Sequence, residues 1–315
     1  MAKVVIIGGA GHVGTYLVPQ LVEAGHEVVN VTRGQSRPYR SHAAWGRVRQ
    51  VVMDRAVEEA AGRFGAAIAE LGADVVIDMI CFTPESNAML AEALAGRVQH
   101  FIHIGTIWVH GALTTVPARE EDARVPFGDY GIWKSRIEDD LLARARRGYL
   151  PATVIRPGHI VGPGWAPLNP AGHFNPQVFA TIRGGKPLTL PNFGLETVHH
   201  VHAEDVARAV MGAITHWGAS VGEAFNAVSP AALSLRGYAE AMYRFWGHEP
   251  RLSFVPFEAW ARDVAPEDAR ASWEHIARSP CHSIDKARRL ISYQPRYTSL
   301  EAVQEAVVVM PGMAG

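Results

Sequence analysis

The stretch that decides the fold lies in the first 14 residues. Residues 3–7 read Lys-Val-Val-Ile-Ile, and residues 8–14 read Gly-Gly-Ala-Gly-His-Val-Gly, followed by a helical pattern from about His12 to Ala24. A short β-branched run that is apolar on both faces indicates a strand buried in a parallel sheet. The glycines at 8, 11 and 14 then predict a sharp turn, a close backbone approach and tight packing of the following helix on the sheet.

A glycine loop between a buried strand and a helix predicts a phosphate-binding loop. The first amides of a helix have no intrahelical partner, and the positive end of the helix dipole favours an anion there. This context predicts dinucleotide binding by the loop residues Gly8, Gly11, His12, Val13 and Gly14. The alternative is a glycine-rich turn without a ligand.

Strand and helix patterns alternate through the first half of the chain. Further strands are predicted at Glu27–Thr32, Val48–Met53, Asp74–Ile80, His100–Ile104 and Ala152–Arg156, with helices at about 57–71, 84–95 and 129–147. Apolar strands alternating with helices predict an α/β fold with a doubly wound parallel sheet. We expect residues 1–156 to form the dinucleotide-binding domain, with returning segments near 195–228, and residues 157–315 to form mainly a smaller substrate lobe.

Composition excludes several classes of protein. The chain has 315 residues, of which 48% are hydrophobic, and a formal net charge of −1. This apolar content excludes wholesale disorder, and the missing basic excess argues against a nucleic-acid partner. No apolar run reaches the roughly 20 residues of a membrane span. The two cysteines, Cys81 and Cys281, match no metal spacing, so we expect a cytoplasmic protein without a metal or a membrane partner.

The end of the second strand carries the information on cofactor choice. An acidic residue at this point binds the ribose 2′-hydroxyl of NAD, but here the position is Thr32, followed by Arg33. No Asp or Glu occurs from Val28 to Met53. Because an arginine can pair with a 2′-phosphate, NADP is favoured over NAD, and the alternative is a solvated basic loop. Asp54, after the third strand, is a candidate contact to the adenine amine.

Tyr130 and Lys134 form the candidate catalytic pair. Their i, i+4 spacing places a phenol and an ammonium on one helix face. A positive charge nearby is expected to lower the pKa of the phenol, which could then exchange a proton with an alcohol or carbonyl oxygen. Thr106, at the carboxyl end of the fifth strand, could hydrogen-bond the same oxygen. A surface Tyr/Lys pair and a strand-end cap are the alternatives.

These motifs together resemble the extended short-chain dehydrogenases/reductases, specifically the NAD-dependent epimerase/dehydratase family, over nearly the whole chain. The glycine loop matches, as do Thr106 before His110-Gly111 and Tyr130-Gly-x-x-Lys134. So do the segments that begin at Ile155, Val201 and Asp285. The resemblance implies a Rossmann-like fold and a catalytic set of Thr106, Tyr130 and Lys134. Cys81 and Pro157 would lie with Tyr130 and Lys134 along the cofactor, and the substrate cleft would be lined by Trp108, His159, Trp165, His173 and Asn175.

Departures from the family pattern narrow the implied activity. Ile107 and Trp108 stand where 4,6-dehydratases carry Asp-Glu, so dehydration is not expected. His159 and Val198 replace an asparagine and an arginine that hold a nucleotide-sugar pyrophosphate. We expect an NAD(P)-dependent oxidoreductase or epimerase acting on a sugar-like hydroxyl or ketone. The alternatives are a nucleotide-sugar 4-epimerase with retained NAD and a non-catalytic dinucleotide-sensing protein.

The resemblance also implies a homodimer. Relatives pair through two helices of each subunit, which correspond to 84–95 and 129–147 here. The first carries several small or apolar residues that end at Leu94 and Ala95. The second carries Ile132, Trp133, Ile137, Leu141 and Leu142. The two helices carry more apolar surface than packing on one sheet requires, which predicts a buried isologous interface between subunits. The alternative is that these helix faces pack only on the sheet.

Overall fold

The computed structural model describes residues 1–310 and shows a seven-stranded, wholly parallel sheet. Residues 311–315, for which the sequence Pro-Gly-Met-Ala-Gly predicts a frayed tail, lie outside these residues. The strands of the sheet are β1 (Lys3–Ile7), β2 (Glu27–Thr32), β3 (Arg49–Val52), β4 (Val75–Asp78), β5 (His100–Ile104), β6 (Ala152–Pro157) and β11 (Ala224–Ala227). Their spatial order is β11-β6-β5-β4-β1-β2-β3. The order reverses between β1 and β4, and in such sheets the crevice at this reversal binds ligands.

Helices cover both faces of the sheet, which explains why the strands are apolar throughout. One face packs against α1 (Gly14–Glu23), α7 (Ala203–Thr215) and α12 (Asp285–Ile291). The other face packs against α3 (Phe64–Ala69), α4 (Pro84–Leu94) and α5 (Gly128–Arg146). The α/β doubly wound architecture expected from the alternating pattern is therefore confirmed.

A second hydrophobic core lies in the C-terminal part of the chain. Its short strands are β7 (His159–Val161), β8 (Leu188–Pro191), β9 (Thr197–Val198), β10 (His200–His202), β12 (Leu233–Ser234) and β13 (Leu252–Val255). They pair two by two as β10-β7, β12-β9 and β13-β8. The helices are α6 (Gln177–Arg183), α9 (Leu235–Phe245), α10 (Phe257–Trp260), α11 (Pro266–Ile276) and α13 (Ser299–Val308), whereas the short helix α8 (Trp217–Ser220) packs against α7 and α12 of the sheet domain. Phe179, Tyr238 and Met242 are fully buried in this core.

Two details differ from the sequence-based expectations. The single helical pattern at 57–71 is two helices, α2 (Arg55–Ala60) and α3, because Gly62 adopts a φ of 68° and ends the first. Leu94, Ile137 and Leu141 are fully buried in the sheet-facing core, so they cannot form a subunit surface. Within residues 1–310, no helix has the length and apolar character needed to cross a membrane.

Candidate active site

The glycine loop joins β1 to α1, and its glycines meet different demands. Gly8 has a φ of 90°, and a Cβ there would lie 2.7 Å from Ile80. A Cβ on Gly14 would lie 2.0 Å from the carbonyl oxygen of Gly9, so the start of α1 packs directly on the loop. A Cβ on Gly11 would meet only the Gly8 oxygen, at 3.5 Å. The fold therefore does not require glycine at 11, and the open space there suits close approach of a phosphate.

A cavity of about 530 Å³ opens beside this loop, at the carboxyl ends of the first four strands. It is lined by the glycine loop, the ends of β2 and β3, the first turns of α2 and α4, and Phe64 of α3. Gly8, Gly11, Thr32, Arg33 and Asp54 all line it. A largely apolar crevice at the reversal point of the sheet, with a glycine loop at its edge, fits the adenosine half of a dinucleotide.

The polar wall of this cavity lies at the ends of β2 and β3. Arg33 is exposed, and Thr32 accepts a hydrogen bond from the Gly34 amide. Asp54 caps α2, but both cap hydrogen bonds, from the amides of Ala56 and Val57, use Oδ1. The second carboxylate oxygen takes no part in this cap, so the cap does not conflict with a contact from Asp54 to an adenine amine.

Sequence analysis missed a buried ion pair behind the cavity. Arg55 donates through Nη1 to both oxygens of Asp78, at 2.8 and 3.0 Å, and through Nε to Glu59 at 2.6 Å. Asp78 is fully buried at the end of β4. Burial disfavours the Arg55 cation, but the carboxylates outweigh it and raise the pKa of Arg55. The i, i+4 spacing of Arg55 and Glu59 was a signal for part of this network.

His12 is held by aromatic contacts above the glycine loop. Its ring stacks on Trp165, with centroids 3.7 Å apart, and its Nε2 lies 3.0 Å from the Tyr39 hydroxyl. Burial lowers the pKa of His12 to about 4, so the ring is neutral at pH 7. Trp165 therefore belongs to the phosphate-loop side, whereas the resemblance implied the substrate cleft. Its indole packs against a flat neutral ring there and donates to the Ile160 carbonyl.

Thr106, Tyr130 and Lys134 come together at the carboxyl end of β5. Thr106 caps the 3₁₀ turn Ile107–His110 by accepting from the Trp108 amide. Lys134 is buried, and its Nζ lies 5.9 Å from the centre of the Tyr130 ring. The ammonium donates to the carbonyls of Cys81 at 2.7 Å and Ile104 at 2.8 Å. Burial lowers the pKa of Lys134 to about 8.

The pKa of Tyr130 is raised, whereas the sequence analysis expected it to be lowered. Desolvation raises it, while a hydrogen bond with the Thr106 hydroxyl lowers it in part. The expected lowering by a neighbouring cation is not present, because the Lys134 ammonium is directed at two backbone carbonyls.

Trp108 contacts Tyr130 and is itself surrounded by further aromatic and imidazole rings. Trp108 lies 5.8 Å from the Tyr130 ring, 6.4 Å from His159 and 5.2 Å from His275. The guanidinium of Arg278 lies between two rings, 3.7 Å from Trp108 and 3.9 Å from Phe127. The structure thus places Trp108 beside Tyr130, and His159 beside Trp108. Phe127, His275 and Arg278 were missed, because no local motif marks them.

Phe82 is a further residue that sequence analysis missed. It lines the cavity, half of it is exposed, and its ring lies 6.5 Å from Tyr130 and 5.2 Å from the Lys134 ammonium. It therefore connects the dinucleotide cavity with the Tyr130 side of the sheet. Its position directly after β4, in a loop at the carboxyl edge of the sheet, was the available signal.

The remaining predicted residues have structural contacts of their own. His173 is buried, bonded to Asn169 and 3.5 Å from Asp268, and Asn175 donates to Asp268. Val13 is part of the core, and Pro157 ends β6 beside Ala227. The Cys81 thiol is buried against the Thr83 carbonyl, and only its own carbonyl reaches Lys134.

Three neighbouring histidines, at 199, 200 and 202, are fully buried. His199 contacts the Ser229 carbonyl and accepts from the His282 amide. His200 contacts the Leu168 carbonyl, and His202 caps α7 and lies 2.9 Å from Glu305. These partners explain the cluster without a ligand. Among residues 1–310, no group of three or more His, Cys, Asp or Glu side chains is arranged to hold a metal ion.

Two proteins are similar to this chain in amino-acid sequence over most of its length. It is 30% identical over 208 residues to 2′-dehydrokanamycin reductase of Streptomyces kanamyceticus, covering 66% of this chain and 56% of the reductase. The chain thus spans little more than half of that relative. It is 25% identical over 313 residues to the chloroplast stem-loop binding protein of 41 kDa b of Arabidopsis thaliana, covering 96% of this chain and 78% of that protein.

The fold is shared with solved structures. A putative epimerase from Burkholderia cenocepacia superimposes with a TM-score of 0.74, covering 99% of this chain and 98% of the other, at 23% identity. Residues 4–227, which include the glycine loop and the Tyr130/Lys134 helix, match the NAD dependent epimerase/dehydratase family. The chain belongs to this NAD dependent epimerase/dehydratase family.

Proposed function

We propose that the protein is an NAD(P)-dependent oxidoreductase or epimerase that acts on a sugar-like hydroxyl or ketone. The observation that carries this proposal is the assembly of Thr106, Tyr130 and Lys134 at the carboxyl end of β5. Phe82 links this assembly to the cavity beside the glycine loop. A reductase among the relatives supports the same class of reaction.

The residues present fit a nicotinamide dinucleotide. The space at Gly11 and the first amides of α1 suit its pyrophosphate, and the cavity beyond them suits its adenosine half. When bound, the dinucleotide supplies a hydride donor or acceptor. The chain supplies the proton chemistry, because the Tyr130 hydroxyl can exchange a proton with a substrate oxygen while Thr106 donates to that oxygen. Lys134 contributes a buried positive charge at a fixed position.

We further propose that NADP is preferred to NAD. Arg33 lines the cavity at the end of β2 and is exposed, without a carboxylate partner among the ion pairs of residues 1–310. A guanidinium at this point favours a 2′-phosphate. No acidic residue from Val28 to Met53 is available to bind a ribose hydroxyl.

The aromatic cluster supports a substrate lobe that begins after residue 157. His159, His275 and Arg278 lie in this part of the chain and contact Trp108 of the sheet domain, whose ring in turn contacts Tyr130. Flat apolar rings and neutral imidazoles beside a hydroxyl suit a sugar ring or another polyhydroxylated molecule. Cys81 and Cys281 are free thiols, which supports a reducing, cytoplasmic location.

A homodimer through α4 and α5 is proposed on the residues that the core leaves exposed. Met89 on α4 and Trp133 on α5 are 40% and 37% exposed. The two helices are neighbours on one face of the sheet, joined by a hydrogen bond from Asn87 to Asp140. Two large exposed apolar side chains on adjacent helices are typical of a subunit interface.

The test is turnover of a panel of sugars and ketones with NADPH and NADH. Tyr130→Phe should lower kcat by a factor of at least about 100, in the range of general acid–base catalysis, and leave dinucleotide affinity within twofold. Tyr149→Phe is the matched control, because Tyr149 follows α5 and bonds Glu92 far from the cavity. Net consumption of added NAD(P)H distinguishes a reductase from an epimerase. A Tyr130→Phe variant with parent activity would exclude the proposed chemistry.

A further inference from the structure

The Lys134 ammonium has a third partner besides the two carbonyls. An ammonium has three N–H donors, and the carbonyl oxygens of Cys81 and Ile104 accept two of them at 2.7 and 2.8 Å. The third faces Nε2 of His103, at 3.4 Å. His103 therefore provides the only side-chain acceptor among these three, and its contact is the longest.

His103 can fill this place only as a neutral ring. An imidazole nitrogen accepts from an ammonium when the ring proton is on the other nitrogen, so this contact requires the Nδ1–H tautomer. His103 is fully buried in β5, directly opposite Asp78 of β4. Burial, together with the charges of Lys134 and Arg55, holds the pKa of His103 well below its usual value. The positive charge therefore remains on Lys134.

Near His103, the Asp78 carboxylate interacts with two buried cations, Arg55 and Lys134. Asp78 is paired with Arg55, which lines the dinucleotide cavity, and its charge also raises the pKa of Lys134. Arg55 lowers the pKa of both His103 and Lys134. A cationic imidazole would add a third positive charge to Arg55 and Lys134, while Asp78 and Glu59 are already paired with Arg55, so the neutral ring fits this site.

We propose that His103 is a positioning residue that, as a neutral acceptor, holds the Lys134 ammonium in place beneath Tyr130. This inference rests on the proposed function and names a residue outside the Thr106/Tyr130/Lys134 set. Without the imidazole acceptor, one donor of a buried ammonium loses its partner, so the charged form of Lys134 is disfavoured. Tyr130 would then lose the fixed positive charge beside it.

Titration of Lys134 tests the inference without turnover. The chain has four lysines, at 3, 134, 186 and 286, so protein labelled with ¹³C at the lysine ε carbon gives four signals. Lys134→Arg identifies the signal of interest. A glutamine places its amide oxygen near the position of the histidine Nε2, whereas an asparagine places it near Nδ1. His103→Gln therefore keeps the acceptor and His103→Asn removes it.

We expect the Lys134 midpoint to fall by at least half a pH unit in His103→Asn and to stay near the parent value in His103→Gln. His100→Asn is the control, because His100 is buried on the same strand but bonds Thr153. An unchanged midpoint in a folded His103→Asn variant would overturn the inference. If that variant does not fold, His103→Phe, which also lacks an acceptor, takes its place with the same expected result.

The pH dependence of turnover provides a second readout. The alkaline limb of kcat, where Lys134 loses its proton, should move to lower pH in His103→Asn, with KM for substrate within twofold, and should return in His103→Gln. A purely structural role would lower the amount of active protein without moving this limb. If Tyr130→Phe keeps its activity while the Lys134 midpoint moves, the proposed function fails and the His103 contact stands. The reverse result rejects only the role of His103.

Discussion

The glycine loop contains two glycines whose replacement by alanine should have opposite consequences. In Gly14→Ala, the new Cβ would lie 2.0 Å from the carbonyl oxygen and 2.4 Å from the carbonyl carbon of Gly9. Both are backbone atoms, so no side chain can rotate away. Cβ contacts below 3.0 Å essentially do not occur. The loop would therefore have to retreat by about 1 Å, which is an overpacking strain of about 1–3 kcal/mol.

Part of this strain is offset by helix propensity. Gly14 is the first residue of α1, and alanine is better than glycine in a helix by about 0.5–1 kcal/mol. The expected net loss is therefore centred on about 1 kcal/mol of unfolding free energy, within a range of about 0–2.5 kcal/mol. In Gly11→Ala, the Cβ has only an ordinary contact at 3.5 Å, so stability should stay within about 0.5 kcal/mol of the parent. The methyl group instead occupies the edge of the dinucleotide cavity.

Two measurements separate these effects. Urea unfolding gives the free energies, and titration of NADPH and NADH by fluorescence gives the dissociation constants. Gly11→Ala should weaken dinucleotide binding at least tenfold, or about 1.4 kcal/mol, without loss of stability. The reasoning is refuted if Gly11→Ala binds the dinucleotide like the parent, or if it destabilises the fold as much as Gly14→Ala does.

Three further outcomes are expected. Arg33→Ala should weaken NADPH binding by about 1.5–3 kcal/mol and NADH binding little, because a charge-assisted hydrogen bond to the 2′-phosphate is lost. Arg49→Ala is the control, because Arg49 lies outside the cavity lining. Equal losses of affinity for both cofactors in Arg33→Ala would contradict the preference for NADP. In sedimentation, Trp133→Glu should convert a dimer to the 34.2 kDa monomer. The control Phe193→Glu, at another exposed aromatic residue, should leave the dimer intact. A parent protein that sediments as a monomer would reject the interface. The unfolding free energy should fall as the pH drops from about 6.5 to 4, because the unfolded chain takes up protons on histidines whose folded pKa burial lowers. Seven have a folded pKa of about 4: His12, His100, His110, His199, His200, His202 and His275. Asp205, with its pKa raised to about 6, and Glu120 and Glu305, whose pKa values burial also raises, oppose the seven histidines in part. Equal urea midpoints at pH 7 and pH 5 would contradict this.

The parts of the fold that follow from local rules could be predicted from sequence. β1, the glycine loop and α1 are contiguous, and each glycine has a local or nearest-element reason. The i, i+4 spacing of Tyr130 and Lys134 and the strand end at Thr106 likewise needed only one helix and one strand. The break at Gly62 was missed because the helical pattern continues on both sides of it. Leu94 was misassigned because a helix pattern does not say which apolar residues the sheet will bury.

The Tyr130 surroundings could not be predicted, because they depend on contacts between distant segments. Arg278 reaches Trp108 from α11 and its following turn, 170 residues along the chain, and its guanidinium is fixed by the Phe127 carbonyl. Nothing in the local sequence around Arg278 indicates a stacking partner. The same limit explains why the stack of Trp165 on His12 could not be predicted from sequence.

The effect of Lys134 on the pKa of Tyr130 cannot be read from the Tyr/Lys spacing alone. The motif places an ammonium on the tyrosine face of α5, and from this alone a lowered pKa of Tyr130 follows. The fold instead directs that ammonium to the carbonyls after β4 and at the end of β5, with His103 as its third partner. Desolvation then dominates, and the pKa of Tyr130 is raised. The orientation of the buried Lys134 ammonium is set by the carbonyl oxygens at the strand ends that accept its hydrogen bonds. Its effect on the pKa of Tyr130 therefore depends on those acceptors as much as on the spacing along the helix.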